Sequence, residues 1–337
     1  MAGRDSATTG FLRAAGWADA GRSALAGDAS ARRYERLLLG ERSAILMDAP
    51  PEKGEDVSRF TRMASWLLAQ GYSAPRLLAE DAASGFLLLE DLGDDLLARI
   101  AAADPSREPA LYALAVDFLA DLGKRRVPDF LQPLDGPALA ALLGWVGEWY
   151  LPAMGAAPDT VAGLPDTFVR LYRGLAGDRP MVVSLRDFHA ENLLWLPNRS
   201  GIARLGLLDF QDAVAAHPAY DLVSLLQDAR RDVSQLTEAA MIDRFAGDSG
   251  WNRDEFGAIY ALLGAQRSLR ILAVFARLCL HLGRPRYLEF MPRVWGYLAR
   301  NLAHPALGEL AQTLAHLPEP TNADLARLKD HSPCPTP

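Results

Sequence analysis

Leu185-Arg186-Asp187-Phe188-His189-Ala190-Glu191-Asn192 is the stretch on which the fold turns, read together with Leu205-Gly206-Leu207-Leu208, which ends on Asp209-Phe210. The octapeptide follows one short apolar strand, Met181 to Ser184, and precedes another, Leu193 to Leu196. An acid and an asparagine five residues apart in a loop between strands can face one cleft. Asp209 lies seventeen residues beyond Asn192, directly after four apolar residues, so it is pushed out at the end of a buried strand. Taken singly, an Asp-x-His or a strand-final Asp is ordinarily a cap or turn residue; the joint pattern in this order is far more specific. Phosphoryl transfer asks for few protein groups. One carboxylate must accept or orient the proton of the attacking hydroxyl, and a second acid with an asparagine must hold Mg²⁺ on the phosphate oxygens. Asp187 fits the first role, and Asn192 with Asp209 the second. Hard oxygen ligands completed by water suit magnesium better than zinc.

The segments on either side differ in character. Ser6 to Ala18 reads as a short helix, and Ser30 to Leu39 and Ser43 to Met47 as strands joined at Gly40. Asp56 to Gln70 carries Phe60, Met63, Trp66 and Leu67 at helical spacing and stops at Gly71. Arg76 to Ala79 and Gly85 to Leu89 form a further hairpin, followed by the polar Glu90 to Asp95 segment, which reads as a hinge. Beyond it the pattern is mainly helical: Glu108 to Lys124, Gly136 to Met154, Asp166 to Leu175, Asn252 to Leu282, 283–302 and 306–316. The expected organisation is α+β and bilobal. A small antiparallel β-rich N-lobe spans residues 1–92, a mainly helical C-lobe spans 93–317, and a loose Pro-rich tail spans 318–337. No internal repeat is present.

Half of the 337 residues are hydrophobic and 23% are charged, a balance that supports a sizeable core. A net charge of −7 argues against binding a nucleic-acid backbone. Two cysteines, Cys279 and Cys334, are too few for a disulfide framework or a zinc cluster. Met1 to Gly10 is polar, without the apolar region of a secretory signal, and no stretch reaches about 18 uninterrupted apolar residues. A cytoplasmic protein with no nucleic-acid or membrane partner is the expectation.

The octapeptide resembles the catalytic loop of the aminoglycoside phosphotransferase and choline kinase families, relatives of the protein kinases. Asp187 to Asn192 matches the shorter form of their loop, Asp209-Phe210 the metal-binding Asp of the next strand, and Leu185-Arg186 stands where His-Gly is usual. A closer set, from about residue 27 to 280, resembles the anomeric kinases of N-acetylmuramate and N-acetylglucosamine. It comprises Gly27-Asp28-Ala29-Ser30-x-Arg32-Arg33-Tyr34, Met47-Asp48-Ala49-Pro50-Pro51, Gly85 to Gly93, Glu148-Trp149-Tyr150-Leu151, Asp209 to Ala213, Tyr220 to Asp228 and Gln266-Arg267. The resemblance implies a protein-kinase-like fold of the aminoglycoside phosphotransferase type. It also implies ATP- and Mg²⁺-dependent phosphorylation of a sugar's anomeric hydroxyl in cell-wall recycling. Kinases of this lineage carry a lysine on the third strand. Here that strand reads Ala44-Ile45-Leu46-Met47-Asp48 without a lysine; the resemblance to the anomeric sugar kinases, which share this Met-Asp, implies that another cation substitutes. Side chains alternate faces along a strand, so only one of Arg32 and Arg33 can serve, and Arg32 is favoured.

Other residues carry two readings each. Gly27 and Ser30 offer backbone N–H groups to phosphate or form a plain turn. Glu90 and Leu92 meet the adenine edge through their backbone. His189 orients the loop, touches the sugar, or is structural. Asp212 binds a sugar hydroxyl, whereas Asp221 reads as capping or bracing the helix after it. Trp145, Glu148, Trp149 and Tyr150 form an acceptor pocket or a stretch of core. Arg267 and Arg270, one turn apart, hold a substrate carboxylate or pair internally. Two competing functions are a kinase of aminoglycosides or other small alcohols, and a nucleotide-binding pseudokinase scaffold, the latter motivated by the absent lysine.

Overall fold

The structure is a computed structural model that describes residues 2–25, 31–177 and 179–333. The chain begins with helix α1 (Ala2–Ala14), strands β1 (Gly21–Ala24), β2 (Arg33–Leu39) and β3 (Arg42–Asp48), helix α2 (Val57–Ala69), and strands β4 (Leu77–Asp81) and β5 (Phe86–Glu90). Helices α3 (Leu97–Ala103), α4 (Glu108–Leu122) and α5 (Gly136–Trp145) follow, then a π-helical turn, Val146–Tyr150, the short α6 (Leu151–Ala153) and α7 (Leu164–Leu175). Strands β6 (Val182–Ser184), β7 (Leu193–Trp195), β8 (Leu205–Leu207) and β9 (Val214–Ala216) precede α8 (Ala219–Leu226), α9 (Gln235–Asp248) and α10 (Arg253–Leu280). Helices α11 (Met291–Leu302), α12 (Gly308–Thr313) and α13 (Asn322–Asp330) complete the described chain.

Two compact units result: Met1–Arg107 with Ala190–Ala213, and Glu108–His189 with Val214–Pro337. The α+β class expected from the sequence holds. The expected cut after residue 92 treats the lobes as consecutive, whereas the β7–β8 hairpin groups with the first unit. Backbone bonds are the reason: Leu207 N donates to Ser73 O at 3.0 Å, Trp195 N to Asp95 O at 2.8 Å, and Ala98 N to Ala190 O at 3.0 Å.

In the first unit an antiparallel sheet of order β1-β2-β3-β5-β4 packs its inner face on α1. Period-two alternation turns Leu37, Ala44, Leu46, Phe86 and Leu88 toward Phe11, Leu12 and Trp17. Phe11 stacks on Phe86 with centroids 5.5 Å apart. An ion pair from Arg4 to Asp48 ties the helix to the end of β3. Asp56, at the N-terminus of α2, accepts from Ser58 N at 2.8 Å, so this helix begins where the sequence signals it.

The second unit is built around α10. Its 28 residues pass the length and hydropathy test of a membrane span, but 83% of the apolar window is buried inside the protein, which marks a core helix. The helix expected over Gly136 to Met154 is interrupted by the π-helical turn at Val146–Tyr150. The loose tail expected at 318–337 is overturned in part: α13 forms with a Thr321–Asp324 capping box, buries Leu328, and its Leu328 O accepts from Cys279 Sγ at 3.4 Å. Cys279 is buried, as its apolar run implies.

Gly85 makes the β4–β5 turn at φ +72°, and a Cβ there would lie 2.0 Å from Ala49 O. Backbone strain and overlap both oppose a side chain. Gly85→Ala is expected to destabilise by at least about 2 kcal/mol, measured as a lowered midpoint in chemical denaturation.

Candidate active site

In the first unit the β7–β8 pairing sets Leu193 opposite Leu207, which brings the residues flanking the hairpin together. Leu208 N donates to Asn192 O at 2.9 Å, and Asn192 Nδ2 stands 3.5 Å from Asp209 Oδ2. Gln211 Nε2 donates to Asp209 Oδ1 at 2.7 Å, so both carboxylate oxygens are oriented by amides. A half-turn of the Asn192 amide, made when a cation is present, would exchange this Nδ2 contact for its oxygen beside that carboxylate. Two adjacent hard oxygens fit Mg²⁺, which binds through one or two protein groups plus phosphates and water. The hairpin is anchored on α2: Phe60 stacks on Phe210 with centroids 4.9 Å apart, and Arg59 pairs with Asp212 at 2.9 Å.

The two arginines at the start of β2 separate as strand alternation requires. Arg32 Nε donates to Glu55 Oε2 at 2.6 Å with both side chains largely buried, while Arg33 reaches Asp48 at 3.4 Å from an exposed position. Tyr34 is near enough to Arg32 and to Asp209 to feel both charges. Burial raises its hydroxyl pKa and the Asp209 charge adds to the rise, while Arg32 opposes it with its charge and a hydrogen bond. A buried guanidinium, its carboxylate partner and the Asp209 carboxylate thus share one neighbourhood within the first unit. Glu90 is held by Arg76 and Arg199, each at 3.0 Å, so its side chain is committed to ion pairs. Leu92 is half-buried in the segment after β5. Gly27 and Ser30 lie outside the described residues.

In the second unit β6 pairs with β9, and the chain leaving β6 turns at Arg186 with φ +67°. Asp221, in the first turn of α8, organises this turn. Its carboxylate accepts from Ser184 Oγ at 2.7 Å, Leu185 N at 2.6 Å and Arg186 N at 3.0 Å. The sequence reading of Asp221 as a cap or brace of its own helix is corrected: the side chain braces the loop from 36 residues away in sequence. Complete burial outweighs these donors and the Arg267 charge and pushes its pKa up to about 6. On the other side of the turn, Arg186 O accepts from Ser224 Oγ at 3.1 Å and Arg267 Nη1 at 3.5 Å.

A left-handed Arg186 explains why glycine is usual at this place in similar loops: a Cβ there costs on the order of 1 kcal/mol, and here the bonds on both sides of the residue hold it. Among the described residues only Arg186 and Asp209 have positive φ without being glycine. Beyond the turn, Asp187 N donates to Leu185 O at 2.8 Å and His189 N to Asp187 O at 3.2 Å. Phe188 stacks on Phe118 at 5.6 Å. Arg230 Nη1 stands 3.1 Å from His189 Nε2; a guanidinium only donates, so Nε2 carries the lone pair and the ring proton is on Nδ1.

Glu148 is exposed on the π-helical turn, beside half-buried Trp145 and Trp149, whose rings lie 5.4 and 5.8 Å from the Arg277 guanidinium. Arg267 is buried and turned to the loop carbonyl. Sequence reasoning missed Glu55, Gln211, Ser224 and Arg230. Gln211 and Ser224 stand inside motifs of the family resemblance without a task of their own there, and Glu55, Ser224 and Arg230 meet partners 23, 38 and 41 residues away. The buried Ser224 within an apolar helix was the one available signal.

A nucleotide-using phosphotransferase with the protein-kinase-like fold is the class these features define. The profile of the phosphotransferase enzyme family matches residues 22–262, and the chain belongs to that family. It is 42% identical to the N-acetylmuramate/N-acetylglucosamine kinase of Caulobacter vibrioides over 91% of this chain and 94% of that one. It is 33% identical to the kinase of the same name from Pseudomonas aeruginosa, over 95% and 96% respectively. Among solved structures, a choline/ethanolamine kinase family protein from Mesorhizobium loti superposes with TM-score 0.59 at 16% identity, covering 97% of this chain and 99% of that one.

The raised pKa of Asp221 has a definite sign. The folded state holds this proton more tightly than the unfolded chain, so the stability it contributes is complete below about pH 4 and lost as pH rises through about 6. Asp221→Asn should remove that slope, worth roughly 2–3 kcal/mol, read from denaturation midpoints of both proteins across pH 4–7.

Proposed function

We propose that this protein transfers the γ-phosphate of ATP, with Mg²⁺, to the anomeric hydroxyl of N-acetylmuramate and N-acetylglucosamine, giving sugar 1-phosphates for cell-wall recycling in the cytoplasm. The carrying observation is the 42% identity over 91% of the chain with a kinase named for both sugars. Retention of Asp187, Asn192 and Asp209 in the required order supports it.

In this reading Asp187 accepts the proton of the anomeric hydroxyl as its oxygen bonds to the γ-phosphorus and the bond to the β–γ bridging oxygen breaks, releasing ADP. The bonds on both sides of Arg186 hold the preceding peptide, so the base is positioned before substrate arrives. Asn192 and Asp209 hold Mg²⁺, which when bound neutralises charge on the phosphate oxygens. Arg32, aligned by Glu55, replaces the absent strand lysine toward the phosphates. Gly27 and Ser30 cover them, and Glu90 and Leu92 present backbone to the base. Asp212, Glu148 and His189 serve the sugar, His189 with its proton on Nδ1.

Against a scaffold without turnover, this reading takes the buried Arg32–Glu55 pair as the source of the cation that the third strand lacks. Arg230 and Arg267 beside the loop weigh against a polycationic acceptor.

Incubation with ATP, Mg²⁺ and each sugar should yield an acid-labile 1-phosphate, identified by phosphorus NMR; a stable 6-phosphate as sole product would refute the anomeric assignment. Asp187→Asn is expected to lower kcat by at least about 10²-fold with nucleotide affinity retained, measured by steady-state kinetics and titration calorimetry. Full activity in that variant would remove Asp187 from the role of base.

A further inference from the structure

Three arginines of the second unit stand close to the catalytic loop or one helical turn from it, and the structure gives them different surroundings. Arg267 Nη1 is turned to the Arg186 carbonyl, and Arg230 Nη1 to the His189 ring. Arg270, half-buried on α10, makes no hydrogen bond, ion pair or ring contact with any described residue. A partly desolvated guanidinium without an anion is costly to maintain, and a carboxylate meets it with two parallel hydrogen bonds.

The position of Arg270 follows from helix geometry. It is one turn from Arg267, with roughly 5–6 Å between Cβ atoms at such a spacing. Helical side chains sweep back toward the N-terminus, so the Arg270 side chain covers the turn of Gln266 and Arg267, the turn that reaches the loop carrying Asp187. Arg270 also shares a face with Gln266 four residues before it and Arg277 seven after it. That face lies along α5 and the π-helical turn: Gln266 Nε2 donates to Leu139 O at 2.9 Å, and the Arg277 guanidinium lies 5.4 Å from the Trp145 ring. Arg270 therefore stands between the brace of the catalytic loop and the half-buried rings of Trp145 and Trp149. π-Helical turns inside α-helices are frequent at functional sites, and indole faces suit the C–H surface of a sugar.

We propose that Arg270 is the specificity-determining residue that binds the carboxylate of the 3-O-lactyl group of N-acetylmuramate, an inference that rests on the amino-sugar reading above. N-acetylglucosamine lacks that carboxylate and makes no use of Arg270. The bond is charge-assisted and partly desolvated, so its loss weakens one substrate and leaves the other unaffected. Arg267, although the sequence offers it equally, braces the loop and serves both substrates alike.

The test is the pair of Michaelis constants of the full chain and its Arg270→Gln variant with each sugar. Arg270→Gln is expected to raise KM for N-acetylmuramate roughly 10- to 100-fold and to leave KM for N-acetylglucosamine within about threefold. The second sugar also verifies that the variant is folded. Parallel changes in both constants, or none in either, overturn the assignment while leaving the kinase reading intact. If the wild-type protein turns over neither sugar, the kinase reading fails, and calorimetric titration with each sugar alone decides the assignment. Tighter binding of N-acetylmuramate by the wild type that is abolished in Arg270→Gln upholds it, and equal binding of the two sugars by the wild type overturns it.

Discussion

A carboxylate sealed from solvent, Asp221, receives the hydroxyl of Ser184 and the amides of Leu185 and Arg186, and the shape of the catalytic loop hangs on those bonds. Burying a charge is unfavourable, and the elevated pKa of Asp221 records that cost. What is gained is position. The peptide leaving β6 is forced into a left-handed turn at Arg186, and the next residue is Asp187. Ser224 and Arg267 close on the carbonyl of the same residue, so the turn is held from both sides. Stability is exchanged for a fixed backbone at the residue that precedes Asp187.

The first unit applies the same economy around Asp209. Asp209 is also left-handed, and its two oxygens are oriented by Asn192 and Gln211. The α2 helix does double duty: its N-terminal flank supplies Glu55 to Arg32, and its face supplies Phe60 and Arg59 to the segment after Asp209. One helix and its flank therefore fix both the Arg32 guanidinium and the segment that follows Asp209.

Much of this was legible in the sequence. Apolar alternation in β2, β3 and β5 and helical spacing in α2 and α10 report directly which face is buried. The spacing of Asp187, Asn192 and Asp209 reports a loop, a strand and a strand end. Less legible were α9, whose apolar face is narrow, and α13, whose polar composition hid a helix stabilised by its capping box. The π-helical turn was hidden too, because a one-residue change in helical pitch leaves no mark in periodicity.

By itself the sequence determined the α+β class, the order of the chemical groups and the likeness to sugar kinases, since each rests on local pattern or on motifs read in line. Only the tertiary structure decided which identical residues do which work. Arg32 and Arg33, or Arg267 and Arg270, are equivalent as letters. They diverge because Glu55, Asp48 and the Arg186 carbonyl, brought close by folding, claim Arg32, Arg33 and Arg267 and leave Arg270 unclaimed among the described residues. Asp221 shows the same thing most plainly: read along the chain as a cap or brace of the helix after it, it serves a loop 36 residues earlier, because hydrogen-bond partners are chosen by distance in space and not along the chain.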